Sequence, residues 1–379
     1  MSTTRTEPCN ETRGDTQRNE DLSISQILKE RGVSRRDFLK FCSTVTAALA
    51  LPPSFAPSVA RALDEVKRPP LVWLEFQGCT GDSEALLRSA NPTVAEIILD
   101  ILSVDYHETI MAAAGHQAEA ALEKTITDYK GKYFAVIEGS IPMKDGGVYG
   151  CVGGKSNLER ARQVCGGAAA TIAIGNCASY GGIPAAAPNP TGAVGVKEAV
   201  PGATVINLPG CPCNADNLTA TIVHYLVFNK IPALDGHGRP LFAYGKRIHD
   251  NCERRPHFDA GQYVERWGDD GHRKGYCLYK MGCKGPATFH NCPTQRYNEK
   301  TAWPIGSGHP CVGCAEPQFW DVMSPMYKRL PNVPGFGIEH TADAIGLGLA
   351  AGAAGAFVVH GALSAMRKDK EPGEDAKEE

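Results

Sequence analysis

The run Leu71-Val72-Trp73-Leu74-Glu75-Phe76, followed by Gln77-Gly78-Cys79-Thr80-Gly81-Asp82, decides how this chain is read. It is a short apolar strand, then a glycine-rich turn carrying a thiol, then a helix from about Ser83. The rhythm repeats outward from there. Apolar residues recur at helical spacing over Thr93 to Tyr106 and over Gln117 to Tyr129, and further strands are expected at 133–138, 171–175 and 204–208. Apolar runs this continuous belong to a parallel sheet covered by helices on both faces. In such an open sheet, ligands bind in the crevice beyond the carboxyl ends of the strands. Those ends carry Cys79, then Asn176-Cys177, then Pro209-Gly210-Cys211, so three thiols distant in sequence are expected to converge. The glycines beside them let the backbone pass close to a bulky group. No G-x-G-x-x-G follows any of these strands, which leaves a dinucleotide site without support.

The chain has 379 residues, enough for two domains. At 42% hydrophobic it is not disordered, and a net charge of −3 with no basic stripe gives no electrostatic case for nucleic acid. Its 14 cysteines are too few for a disulfide scaffold and more than a core requires. Beyond about Asp235 the strand–helix rhythm stops. The chain becomes polar and thiol-rich: His249-x-x-Cys252, Cys277-x5-Cys283, Cys292, then Cys311-x-x-Cys314. A segment with so little periodic apolar sequence needs something besides a core to hold it together. One zinc with His and three Cys leaves Cys292, Cys311 and Cys314 unexplained. Iron–sulfur clusters account for more of the thiols at once. Disulfides are a third option for an exported domain.

Both ends read as lying outside the globule. Ser34-Arg35-Arg36-Asp37-Phe38-Leu39-Lys40 is a twin-arginine pattern, followed by an apolar run from Phe41 to about Leu51 and an A-x-A cleavage site at Ala60-Arg61-Ala62. Residues 1–62 are therefore read as an export signal. Ala344 to Met366 is a run without formal charge, long enough to span a bilayer, with Gly348, Gly352 and Ala356 as a small-residue ridge. Arg367, Lys368 and Lys370 follow, which places the C-terminus in the cytoplasm and the globule on the periplasmic side. His360 is the one imidazole inside that span, and its role stays open.

Longer motifs now carry a resemblance. Gly78-Cys79-Thr80-Gly81, Asp105-Tyr106-His107-Glu108-Thr109, residues 112–117, Pro188-Asn189-Pro190-Thr191, His257-Phe258-Asp259-Ala260-Gly261, Cys277-Leu278-Tyr279-x-x-Gly282-Cys283-Lys284-Gly285-Pro286 and Gly308-His309-Pro310-Cys311-x-x-Cys314 resemble the small subunit of membrane-bound nickel–iron hydrogenases. The likeness runs from about residue 70 to 330. It implies an α/β fold: a flavodoxin-like parallel-sheet domain (69–235), an irregular iron–sulfur domain (236–332) and a C-terminal transmembrane helix (344–366). It also implies two 4Fe–4S clusters and one 3Fe–4S cluster. Carried over by position, Cys79, Cys177 and Cys211 match proximal 4Fe–4S ligands, and His249, Cys252, Cys277 and Cys283 match the distal 4Fe–4S ligands. Cys292, Cys311 and Cys314 match the medial 3Fe–4S ligands, with Pro304 where a fourth thiolate would stand. Cys9 and Cys42 leave with the signal; Cys151, Cys165 and Cys213 remain unassigned.

The departure is at the fourth proximal position, where the family usually has cysteine and this chain has Asp82. Nor does the chain have the two additional cysteines of the oxygen-tolerant type, since Gly81 and Gly182 occupy those places. Three readings stay open: Asp82 ligates iron through oxygen, Asp82 caps the following helix while Cys213 or Cys151 ligates, or the cluster has three protein ligands. Glu138, after a sheet strand, is a candidate for tuning the proximal cluster. His249 is expected to offer an outward-facing ring for electron exit. The implied function is electron transfer from a nickel–iron large subunit to a membrane cytochrome b or similar quinone-linked carrier, in an assembly of several heterodimers. The alternatives are a membrane-tethered iron–sulfur protein with another partner, and an exported binding domain held by zinc or disulfides.

Overall fold

Five strands, β1 (Pro70–Glu75), β2 (Ser103–His107), β3 (Phe134–Glu138), β4 (Ala170–Ile174) and β5 (Val205–Leu208), form one sheet in the order β2-β1-β3-β4-β5. Every pairing is parallel. This is the doubly wound order of flavodoxin-like sheets, and its switch point lies between β1 and β3. Alternation of side chains explains the two cores. Leu71 and Trp73 face one layer with Phe134, Ile172 and Leu208, while Val72 and Leu74 face the other with Ala135, Ile137 and Ala173. In this computed structural model the described residues are 22–368, apart from 31, 66, 90–92, 299, 318, 332 and 334–337.

The main helices, in chain order, are α1 (Ile24–Glu30), α2 (Arg35–Ala48), α3 (Ala56–Glu65), α4 (Gly81–Leu87), α5 (His116–Asp128), α6 (Asn157–Cys165), α7 (Gly175–Tyr180), α8 (Ala215–Phe228) and α9 (Ile338–Lys368). The strand at 103–107 corrects the helix expected over Thr93–Tyr106. The helical turns begin with a capping box at Thr93 and end at Ile101, after which Val104 and Tyr106 pair beside β1 as an edge strand. The helical spacing of the apolar residues concealed the change of element.

The N-terminal stretch, read as lying outside the globule, is packed against it. Helices α2 and α3 pack on α8, and α1 packs on α3: Ile24, Cys42, Val59 and Leu63 are each 0% exposed and share one apolar cluster with Ala220 and Val223. The outer face of α8 is itself apolar, so the amphipathic leader helices have a surface to bury. Arg35 and Arg36 stay exposed, and Ala60 of the A-x-A site is buried within α3. Cys9 lies outside the described residues.

From Leu241 to Arg329 the chain is a series of single helical turns around a small core of Ile248, Val264, Leu278, Met281, Trp303 and Ile305, into which Cys292 and Cys311 pack. Residues 330–379 form a separate unit. Its α9 contains Gly346–Ala365, 20 residues of mean hydropathy 1.6, long and apolar enough to cross a membrane. His360 is exposed within it.

Candidate metal centre

The sheet's switch point builds the first group. Thr80 adopts a left-handed conformation (φ 60°) directly after Cys79 and turns the chain into α4. The carboxylate of Glu138, the last residue of β3, closes the start of that helix from across the sheet. Its oxygens accept from Asp82 N (2.9 Å), Ser83 N (3.1 Å), Ser83 Oγ (2.6 Å) and Trp73 Nε1 (3.1 Å). A carboxylate at a helix N-terminus satisfies orphan N–H groups and opposes the helix dipole. Asp82 is therefore not the cap. Its own Oδ1 accepts from Cys213 N (2.6 Å), and its Oδ2 lies where a Cβ on Gly175 (φ +78°) would come within 2.0 Å. Burial pushes the Asp82 carboxyl up to about 7, against the pull of the Cys213 N–H and with a further push from Glu138.

Cys177 sits in the first turn of α7. A Cβ on Gly182 (φ +55°) would lie 2.3 Å from its sulfur, so that glycine keeps room for the thiol. Burial raises Cys177 to about 11, with Asp82, Cys79 and Glu138 adding to the push. Cys211, after β5, is raised to about 12 by burial and then by Cys314, Cys177, Asp82 and Cys79. The three thiols and Asp82 thus share one electrostatic neighbourhood at the carboxyl end of the sheet. Cys213 is buried in the core with its sulfur toward Asn214 O (3.4 Å). Cys151 lies exposed on a small ribbon with its sulfur toward Val148 O (3.9 Å), and Cys165 is buried in the other sheet layer.

Cys292, Cys311 and Cys314 line one largely apolar cavity of about 460 Å³, with Cys211, Pro304 and His290 in the same wall. A buried latch ties this cavity to the sheet. Asn176 Nδ2 donates to Cys314 O and Glu316 O (3.0 Å each). Arg239 donates to Asp235 Oδ2 (2.7 Å), Glu316 Oε1 (3.1 Å) and Ala315 O (3.1 Å). Sequence reading missed both residues: an Arg in a loop signals nothing until its partner, 77 positions away, is known.

His249, Cys252, Cys277 and Cys283 line a third, narrow pocket. Cys252 Sγ accepts from Arg254 N (3.4 Å). Burial raises Cys252 to about 11 and Cys277 to about 12. His249 corrects the expectation of an outward-facing ring. It is 6% exposed and lies edge-on to Phe258, ring centroids 4.6 Å apart, so Phe258 covers it. Burial, then Arg255, lowers it to about 4, leaving a neutral imidazole.

The donor chemistry fits iron–sulfur clusters. Sulfur dominates all three groups, and thiols raised this far by burial and by each other become thiolates only against a positive partner. Among the described residues no three of His, Cys, Asp and Glu stand close enough to hold a single metal ion, and all thirteen cysteines are free. That arrangement gives no support to the zinc or disulfide readings. His290 adds an orphan: its Nε2 is buried in the cavity wall without a hydrogen-bond partner.

Comparison with known proteins agrees with this chemistry. Residues 244–327 match the family model for the C-terminal part of the NiFe/NiFeSe hydrogenase small subunit, and residues 79–225 match that for the 20 Kd subunit of NADH ubiquinone oxidoreductase. The uptake hydrogenase small subunit of Azotobacter vinelandii is 49% identical over 92% of this chain and 97% of that protein. The quinone-reactive Ni/Fe-hydrogenase small chain of Wolinella succinogenes is 47% identical over 91% of this chain and 99% of that protein. Among solved structures, the Ni-Fe-Se hydrogenase of Desulfomicrobium baculatum superposes with a TM-score of 0.66 at 34% identity, over 69% of this chain and 100% of that chain. The chain therefore belongs to the nickel–iron hydrogenase small subunits, the iron–sulfur partners of a large subunit that holds the catalytic site.

Proposed function

We propose that this chain is the electron-transfer subunit of an uptake hydrogenase that oxidises H2 and delivers electrons to a membrane quinone pool. The observation that carries the reading is the row of three thiol-rich groups: the end of the sheet, the cavity, and the pocket behind His249. In it Cys79, Asp82, Cys177 and Cys211 hold a proximal 4Fe–4S cluster, and Cys292, Cys311 and Cys314 a medial 3Fe–4S cluster. His249, Cys252, Cys277 and Cys283 hold a distal 4Fe–4S cluster. When bound, these clusters supply one-electron carriers between the large subunit and a cytochrome b or similar quinone-linked protein. The residues around them do separate work. Glu138 fixes the turn that presents Cys79 and Asp82, the Asn176–Arg239–Glu316 latch fixes the loop bearing Cys314, and Phe258 shields the distal group from water. Asp82 is assigned as the fourth proximal ligand because its carboxylate lies among the other three, whereas Cys213 is turned into the core and Cys151 lies on an outer ribbon. The name of the Wolinella succinogenes relative supports the quinone partner, and the C-terminal helix supports membrane attachment. Residues 1–62 act as a twin-arginine signal that delivers the folded heterodimer to the periplasmic face.

The test uses membranes from cells expressing the full chain with its large subunit. Truncation before Thr341 is expected to release a soluble complex that reduces artificial dyes with H2 and no longer reduces quinone. Quinone reduction undiminished by the truncation would contradict the anchored route.

A further inference from the structure

His290 lies in the wall of the medial cavity, 2% exposed, and no part of the ligand assignment uses it. Its Nδ1 stands 3.0 Å from the sulfur of Cys292, while its Nε2 is buried with no partner. The ring is fixed in place by Tyr244, which meets it edge-on at 5.0 Å and donates its own hydroxyl to Pro209 O (2.8 Å). Pro209 immediately precedes Gly210-Cys211, so the His290–Tyr244 pair stands between the proximal loop and the medial thiols. In any charge state an imidazole has at least one N–H to place. On Nε2 alone it would be a buried donor without an acceptor, which folding disfavours. On Nδ1 it meets sulfur. Cys292 acting as a ligand is a thiolate, which accepts and does not donate.

We propose that His290 is a positioning residue whose Nδ1–H hydrogen-bonds the Cys292 thiolate and raises the reduction potential of the medial cluster. The inference rests on the reading of Cys292, Cys311 and Cys314 as that cluster's ligands. The physical ground is that a hydrogen bond to a cluster sulfur stabilises the more negative, reduced state. Electrons leaving the proximal group then meet a carrier held ready to accept them.

The test is an EPR-monitored redox titration of the purified heterodimer, comparing wild type, His290→Phe and His290→Asn. Phe keeps a ring of similar size and deletes the donor; Asn places its amide nitrogen where Nδ1 stands. The Phe variant is expected to titrate at a lower midpoint, and the Asn variant near wild type, with iron content and thermal midpoint unchanged in both. A wild-type midpoint in the Phe variant overturns the inference, as does an equal shift in Phe and Asn, which assigns the effect to packing. Pulsed EPR on wild-type protein with ¹⁵N-labelled histidine covers the case in which Phe loses the cluster. A weak nitrogen coupling to the medial cluster is expected, and its absence refutes the hydrogen bond. A wild-type complex with no three-iron signal at all would overturn the ligand reading itself, and this inference with it.

Discussion

Replacing Glu138 by alanine should loosen the helix that presents the proximal group. The carboxylate accepts four hydrogen bonds in a fully buried site, from the Asp82 and Ser83 amides, the Ser83 hydroxyl and the Trp73 indole. Hydrogen bonds to a charged group contribute about 1.5–3 kcal/mol each, so four sum to about 6–12 kcal/mol if nothing relaxes. Relaxation is available. The Ser83 hydroxyl already lies 3.3 Å from Glu75 Oε1 and 3.4 Å from His107 Nε2, and water can enter the space left by the side chain. The net cost should be about 3–5 kcal/mol, carried mainly by the two orphaned amides at the start of α4. Hydrogen exchange of the peptide spanning residues 76–88 reads this locally. Opening by that amount speeds exchange by roughly a hundredfold to several thousandfold. Glu138→Gln keeps one acceptor and turns an amide toward the donors, so it should cost about 2–3 kcal/mol. If Glu138→Ala leaves exchange over α4 and the iron content at wild-type values, Glu138 does not hold this turn.

Three further outcomes follow from the same geometry. Arg239→Leu leaves the buried Glu316 and the half-buried Asp235 without their cation; each keeps a backbone N–H, so the loss should fall near the lower end of the usual range, about 3 kcal/mol, read as a fall in the thermal inactivation midpoint. Glu108 is raised to about 7 by burial, with Glu75 and Glu119 adding to the push and Arg160 opposing it. The folded state therefore binds more protons than the unfolded one between about pH 4.5 and 7, and stability should fall as pH rises through that window. With partial exposure discounted, the fall is about 1–2 kcal/mol, and Glu108→Gln should flatten it in thermal unfolding measured from pH 5 to 8. Asp82→Cys should give an all-thiolate proximal cluster with a shifted midpoint, because sulfur is a softer donor than oxygen, and Asp82→Ala should lower iron content; wild-type titrations and iron content in both would leave Asp82 only its bond to Cys213 N.

What could be read without coordinates was whatever is local or periodic. The strands at Leu71, Tyr133, Thr171 and Thr204 announce themselves as apolar runs closed by glycine, and the thiols after three of them locate the crevice. The strand at Ser103–His107 was hidden because its apolar residues continue the helical spacing before it. The packing of α1 to α3 was hidden for a different reason. A leader and a surface helix have the same amphipathic pattern, and the apolar outer face of α8 that receives these helices lies far along the chain. The roles of Glu138, Arg239 and Asn176 depend on partners 55 to 140 positions away, a separation no local pattern encodes. His249 was legible as an imidazole set among thiols but not as a buried one, because the covering Phe258 comes from a later turn.

The most direct test of the central claim is the iron and acid-labile sulfide content of the purified heterodimer, measured together with EPR of its oxidised and H2-reduced states. The account predicts iron and sulfide matching two four-iron clusters and one three-iron cluster, with a three-iron signal when oxidised and reduced four-iron signals under H2. Zinc in place of iron, or iron without labile sulfide, would contradict it.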